Sequence, residues 1–327
     1  MPARRTIGVD LGGTKLLAGA VDQRLGVHHR VQRTVTGISQ RALLDLAVDA
    51  VTEARESAGA EIAAVGFGIP CLMDDRRGRA VVGVHTPLAD IALADVMAER
   101  LGLPVYVDND GNCAALAEHR AGAARRASDA LILTLGTGIG GGLILGGEIY
   151  RGALGAAGEL GHVVIDLDGE PCLDNCPNRG CAELYASGTA LAREAQRLAA
   201  VHPSSGLARA LSQGRDLVGP LVTELAHDGD AAAIEAVSLI GSRLGVLIAS
   251  LVNIFNPEVV VVGGGVIAAG ELMLAPARAV VSERTLPFLH ERLRIVPARF
   301  GMEAGMIGAA ALAFDGLREA EGGDGGR

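Results

Sequence analysis

The chain has 327 residues, 49% of them apolar, which is room for two domains of ordinary size around a substantial core and excludes a short peptide module or a disordered chain. Charged residues make up 20% with a formal net charge of -9, so no surplus of cationic side chains exists to neutralise a phosphate backbone, and nucleic acid is not expected as a partner. Tryptophan is absent and aromatic residues make up 2%, which argues against a stacking platform; a bound sugar would be held by hydrogen bonds.

Five cysteines, three of them between positions 172 and 181, do not form the paired framework of a secreted domain, and a reducing, cytoplasmic setting is expected. No apolar run is read as reaching the roughly 18 to 20 residues that cross a bilayer, and residues 1–5 lead straight into a strand pattern, so no membrane anchor or signal peptide is expected. Lys15 is the only lysine.

Short β-rich runs alternate with longer segments of helical periodicity, the pattern of helices covering a largely parallel sheet, so the fold class is α/β. Residues 5–11 form an apolar strand that runs into Gly12-Gly13-Thr14, with 15–22 and 27–35 as antiparallel partners. Ser39 caps a helix reaching residue 58, with Leu43, Leu44, Ala47, Val51 and Ala54 on one face. A buried strand follows at 62–69, a helix at 92–101, and a strand at 104–107 that ends at Asp108-Asn109-Asp110. A similar order then recurs: 130–135 enters a glycine-rich turn, 142–149 returns, and 163–166 is expected as a third strand. Helices near 189–200 and 231–252, a strand at 259–262 and another at 293–296 complete a second half of like topology. The closing segment 303–314 reads as a helix of small residues crossing back to the first half. The expected domains are therefore 1–120, completed by a C-terminal helix at 301–316, and 121–300, with 317–327 as a disordered tail.

The turn after the first strand has glycines that can present backbone N–H groups to a phosphate, and Asp10 beside it is placed for a water-mediated Mg²⁺ contact. A strand followed by two glycines is also a common hairpin. A denser turn, Gly136-Thr137-Gly138-Ile139-Gly140-Gly141-Gly142, stands at the matching place of the repeat, and Gly263-Gly264-Gly265 ends the most apolar strand of the second half. Three such clusters, each closing an apolar strand, point to a nucleotide site. Asn109-Asp110 lies on the loop after a strand, where Asp110 can accept a proton from an attacking hydroxyl while Asn109 orients a sugar; the same pair also makes a routine helix cap. His162, Cys172, Cys176 and Cys181 match a closed tetrahedral Zn²⁺ site of structural type, the alternative being reduced buried thiols beside a hydrogen-bonded histidine. Glu159 and Glu183 flank that loop as acceptors for sugar hydroxyls or as solvated surface charges, and Cys71 and Cys113 read as packed small hydrophobes.

Together these motifs resemble the ROK family of sugar kinases and sugar-responsive repressors, members of the actin-like ATPase superfamily, over about residues 6 to 315. The matching stretches are Asp10-Leu11-Gly12-Gly13-Thr14-Lys15, Gly68-Ile69-Pro70, Val107-Asp108-Asn109-Asp110 with Asn112, and Leu135 through Gly142. They continue with Gly158-Glu159-Leu160-Gly161-His162, Cys176 through Glu183, and Val262-Gly263-Gly264-Gly265-Val266. The resemblance implies two actin-like (ribonuclease H-like) domains with a cleft between them. It implies that Asp110 is the general base and that Gly68, Asn109, Glu159, His162 and Glu183 surround the sugar, with His162 also on zinc. Asp10, Gly12, Gly13, Thr14, Lys15, Gly136, Thr137, Gly138, Gly264 and Gly265 would hold ATP with Mg²⁺, and a homodimer or homotetramer is implied.

Three places depart from the family pattern: two extra residues separate Cys172 from Cys176, Cys71 stands where glycine often follows Gly-Ile-Pro, and His85-Thr86 replaces Asn-Leu. The expected activity is ATP-dependent phosphorylation of a hexose at its 6-hydroxyl, first of all glucose. Mannose, fructose, an N-acetylhexosamine and a polyphosphate donor are left open. A sugar-sensing repressor is disfavoured because only nine residues precede Asp10, and a chaperone or filament protein would not need Asn109-Asp110, the zinc loop and Glu159 with Glu183 together.

Overall fold

Apolar alternation and the Gly12-Gly13 turn fold the chain's start into β1 (Arg5–Leu11), β2 (Lys15–Asp22) and β3 (Val27–Thr34), followed by α1 (Gln40–Glu56) with Ser39 accepting a hydrogen bond from the Ala42 amide. The computed structural model describes residues 4–74, 79–83, 86–172 and 176–322; His85 and residues 323–327 of the expected tail lie outside them. The first half continues with β4 (Ile62–Ile69), β5 (Cys71–Asp74), β6 (Arg79–Gly83), β7 (Ala89–Ala92), α2 (Leu93–Leu101), β8 (Val105–Asn109) and α3 (Asp110–Ala121). The second half contains β9 (Ala130–Leu135), β10 (Ile139–Leu145), β11 (Glu148–Ile149), α4 (Glu183–Ala186), α5 (Gly188–Val201), α6 (Gly206–Ser212), α7 (Gly219–His227) and α8 (Ala231–Phe255). It closes with β12 (Val259–Gly263), α9 (Glu271–Arg284), α10 (Pro287–His290), β13 (Arg294–Pro297) and α11 (Ala304–Gly322).

The duplication expected from the sequence is real. One five-stranded sheet has the order β3-β2-β1-β4-β8 and the other β11-β10-β9-β12-β13, each with two antiparallel pairings followed by two parallel ones. The third strand of the second half is β11, not 163–166. Val164 makes a lone antiparallel bridge to Cys181, and the Ile165 amide donates to the Gly180 carbonyl, so this β-branched run belongs to the cysteine loop instead of the sheet. Beside the first sheet, β5, β6 and β7 form a small antiparallel sheet of their own.

In the first half, Leu43, Ala47 and Val51 of α1 pack with Val9 and Phe67 of the sheet. In the second, Leu244, Ile248 and Val252 of α8 meet Val260 and Val262. By length and composition α8 is apolar enough to cross a membrane, which corrects the expectation of no such run. Glu235 and Arg243 interrupt the sequence, but the helix averages apolar because it is a core element enclosed by α5, α7 and α9.

α3 leaves the first sheet and packs on β9 and β10 of the second, while α11 returns from the second half to cover β1 and β4. The two helices cross at contact distance: a Cβ on Gly308 would strike the Cys113 carbonyl, and one on Gly66 would strike the Ala309 carbonyl. Thr6 Oγ1 donates to the Ala310 carbonyl at 2.9 Å. α11 runs to Gly322, beyond the expected end at residue 316, because Arg120–Asp315 (2.5 Å) and Arg4–Glu321 (2.7 Å) fasten its last turns. Gly308→Val is expected to cost about 3 kcal/mol or more, since backbone must move to admit the side chain. Thermal melting by circular dichroism checks this, and an unchanged midpoint would contradict the close crossing.

Candidate active site

Strand register places Asp10 level with Gly68 on β4, and Gly68 level with Asp108 on β8, so the carboxyl ends of three strands line up at one edge. The chain then turns into α3. Asn109 caps that helix, its Oδ1 accepting from the amides of Gly111 (2.8 Å) and Asn112 (3.4 Å), which leaves its amide nitrogen free to donate. Asp110 opens the helix with Oδ1 accepting from the Gly111 amide at 2.9 Å. Burial pushes the Asp110 carboxyl above its usual range, against the pull of its backbone hydrogen bonds. A Cβ on Gly68 would lie 3.1 Å from Cys113 Sγ and 3.5 Å from the Asp110 α-carbon, so this glycine packs directly beneath the start of α3.

The first glycine turn is closed by the Gly12 amide donating to the Lys15 carbonyl at 2.8 Å. Asp10 behind it is raised to about 7, first by burial and then by the charge of Asp110, with Lys15 opposing. Across the cleft, the Gly136 amide donates to the Gly138 carbonyl (2.9 Å), and the Gly188 amide donates to the Gly136 carbonyl (2.8 Å). Thr189 Oγ1 donates to the Thr137 carbonyl at 2.8 Å. Gly264 has φ +83 and sits so close to Leu135 that a Cβ would overlap its backbone. The second and third glycine clusters therefore meet at the N-terminus of α5, where Ser187 accepts from the Ala190 amide at 3.1 Å. Gly188 and Thr189 were not singled out in the sequence; the signal for them is the Ser-Gly-Thr cap before a helical run.

Glu183 is committed on one side to the second turn: the Ile139 amide donates to its Oε2 at 2.8 Å, and a Cβ on Gly138 would collide with the same oxygen. Its other oxygen remains for a ligand. Glu159 is raised by burial, opposed by His162, and raised further by Asp110 and Glu183, which places these four groups in one electrostatic neighbourhood. His162 Nε2 lies 4.0 Å from Glu159 Oε2, while its Nδ1 lies 3.5 Å from Cys172 Sγ.

All four expected ligand atoms, from His162, Cys172, Cys176 and Cys181, lie within 4.8 Å of one another. Cys176 Sγ and Cys181 Sγ are 3.9 Å apart, close to the roughly 3.8 Å that two thiolates take on a tetrahedral Zn²⁺ at about 2.3 Å. Cys172 joins them despite its longer spacing because its amide donates to the Asn178 carbonyl at 2.8 Å and Pro171 bridges Arg179, folding the loop back. Burial, then Cys172 and Cys176, pushes the Cys181 thiol up to about 12; a divalent cation supplies the charge that ionises such a cluster. Cys71 and Cys113 are buried, as expected, and Cys71 is pushed up to about 12 by burial and then by Asp110.

Asp108 and its partners were not identified as site residues. Asp108 is 5% exposed and accepts from Arg151 Nη2 (2.7 Å) and Nε (2.9 Å), which ties the two halves together at the base of the cleft. Asn112 Nδ2 donates to its other oxygen at 2.9 Å.

The repeated sheet order, the α3–α11 crossing and a cleft edged by carboxylates and glycine turns define a two-domain actin-like protein. The chain belongs to the ROK family, which it matches over residues 6–315. It is 34% identical over 316 residues to a glucokinase of Streptomyces coelicolor, covering 94% of this chain and 97% of that one. A xylose repressor of Bacillus spizizenii is 28% identical over 315 residues, covering 95% of this chain and 77% of the repressor. The crystal structure of a ROK family glucokinase from Streptomyces griseus in complex with glucose and AMPPNP is similar with a TM-score of 0.87 at 35% identity, covering 95% of this chain and 99% of that chain.

Because the Asp10 carboxyl is raised in the folded state, the folded protein keeps a proton that the unfolded chain loses between pH about 4 and about 7. Stability of the ligand-free protein therefore falls as pH rises through that window. Urea unfolding at pH 5 and pH 8 is expected to show Asp10→Asn losing less stability than wild type, by on the order of 1 kcal/mol.

Proposed function

We propose that this chain is an ATP-dependent glucokinase that transfers the γ-phosphoryl group of ATP to the 6-hydroxyl of glucose. The observation that carries this reading is Asp110, a half-buried carboxylate with one oxygen held by the Gly111 amide, close to Asp10 on one side and to the Glu159–His162–Glu183 group on the other. Its free oxygen accepts the hydroxyl proton as the sugar oxygen forms a bond to γ-phosphorus and the bond from phosphorus to ADP breaks. A carboxyl shifted upward is a stronger base once ionised. The similarity to glucokinases from two Streptomyces species, one of them bound to glucose and AMPPNP, supports glucose and ATP as the substrates.

The sugar is held by groups whose remaining valences fit hydroxyls: the donating amide of Asn109, the carboxylates of Glu159 and Glu183, and His162 Nε2. The glycine turns with Asp10, Thr14, Lys15, Thr137, Gly264 and Gly265 receive the nucleotide. Asp10 is placed for the Mg²⁺ that would accompany ATP, whose charge would offset that of the carboxylate and the phosphates. His162, Cys172, Cys176 and Cys181 would hold Zn²⁺ with four protein ligands, a set of structural type that would fix the loop between Glu159 and Glu183.

Asp110→Asn is expected to lower kcat by about 10²- to 10⁴-fold while glucose affinity stays within a few-fold, read by coupled ADP release and calorimetry. Normal turnover in that variant would remove Asp110 from its role, and ADP release independent of added hexose would exclude the kinase reading. Stripping the metal with a chelator is expected to lower the melting temperature and raise the KM for glucose more than the KM for ATP, with Zn²⁺ restoring both.

A further inference from the structure

For a chain with a net charge of -9, one cavity of about 780 Å³ has an unexpected lining: the side chains of Arg4, Arg24, Arg120, Arg125, Arg299 and Arg318, with Glu321 as the one carboxylate among them. It lies at the C-terminal end of α3. That helix has 12 residues, so the cavity is about 18 Å from Asp110 and separate from the cleft.

Four of the six guanidinium groups have partners. Arg120 and Arg318 pair with Asp315, Arg4 pairs with Glu321, and Arg299 Nη1 donates to the Ala121 carbonyl at 2.7 Å. Arg24 and Arg125 pair with no carboxylate among the described residues, and both are exposed at the mouth. Beneath the arginines, Ala311, Phe314 and Leu317 of α11 form an apolar floor. A cationic rim over an apolar floor is the complement of a small molecule that carries several phosphate charges on an organic body.

Its position gives such a ligand a lever. The two connections between the halves are the segment after α3 and the segment before α11, and Arg125 lies on the first and Arg299 on the second. Glu118, fully buried, joins the same two segments: its Oε2 accepts from the Ala123 amide at 2.7 Å and its Oε1 from the Phe300 amide at 2.9 Å. Any rotation of one half against the other bends both connections. We propose that this cavity is a second ligand site, for a small organic polyphosphate, and that its occupancy biases the hinge of the catalytic cleft.

The ligand class could be met by a nucleoside diphosphate or by a sugar bisphosphate, and the test separates them. Calorimetry is run on the whole protein with its cleft saturated by glucose and AMPPNP, using GDP, fructose 1,6-bisphosphate and inorganic tripolyphosphate as probes. At least one organic probe is expected to bind, with affinity at least tenfold lower in the double variant Arg24→Ala/Arg125→Ala and unchanged in Asp110→Asn. Neither arginine belongs to an ion pair, so the double variant keeps the wild-type melting temperature. In the activity assay the bound probe is expected to shift the KM for glucose at least twofold in wild type and not in the double variant. No binding by either organic probe, or equal affinity in the double variant, overturns the site. Binding by tripolyphosphate alone overturns the role of the apolar floor, and binding with an unmoved KM overturns the coupling to the hinge. Failure of glucose and AMPPNP to bind the cleft at all would count against the kinase reading and not against this site.

Discussion

The two halves of this protein hang on one buried carboxylate. Glu118 has no exposed surface, and each of its oxygens accepts an amide from a different connection between the domains. A carboxyl group so placed depends on both hydrogen bonds, because losing either leaves a desolvated oxygen without a partner. Glu118 therefore fixes one end of α3 to the hinge, and the other end of the same helix carries Asn109 and Asp110. The α11 crossing, tight enough to admit no side chain at Gly308, keeps α3 from sliding. The placement of Asn109 and Asp110 and the link between the two halves thus depend on a single 12-residue rod.

The cleft that rod enters is electrostatically incomplete by itself. Burial and then the charge of Asp110 raise the Asp10 carboxyl, burial raises Asp110, and burial, with smaller contributions from Asp110 and Glu183 against His162, raises Glu159. The cysteine cluster gathers three thiols and an imidazole within 4.8 Å of one another, a donor set whose thiolate forms would need a cation beside them.

Much of this is legible in the amino-acid sequence. The repeated strand–glycine pattern marks the duplicated sheets, Ser39 and the small-residue helix near the C-terminus behave as their chemistry suggests, and the proximity of His162, Cys172, Cys176 and Cys181 is readable from type and spacing. What escaped was non-local. Asp108 and Arg151 are separated by 43 positions and belong to different halves, so no periodicity joins them. Glu118 sits in an ordinary helical run, where a glutamate reads as a solvated face until the second half packs over it. Residues 163–166 carry the Val-Val-Ile composition of a strand, yet Val164 bridges Cys181 and the Ile165 amide donates to the Gly180 carbonyl, non-local partners that outweigh local propensity there. The strands β5 to β7 are four or five residues each, too short for alternation to stand out.

Lys15 stands alone. It is the chain's single lysine, half-buried at the first glycine turn with its Nζ 3.9 Å from Met302 Sδ, and it is the cation that opposes the upward shift of Asp10. Acylation of a lysine side chain in this protein can therefore occur at one place only, and there it erases the positive charge nearest the bend that the triphosphate would occupy. The arginine-for-lysine bias of the chain thus converts a modification that is diffuse in most proteins into a single-address one.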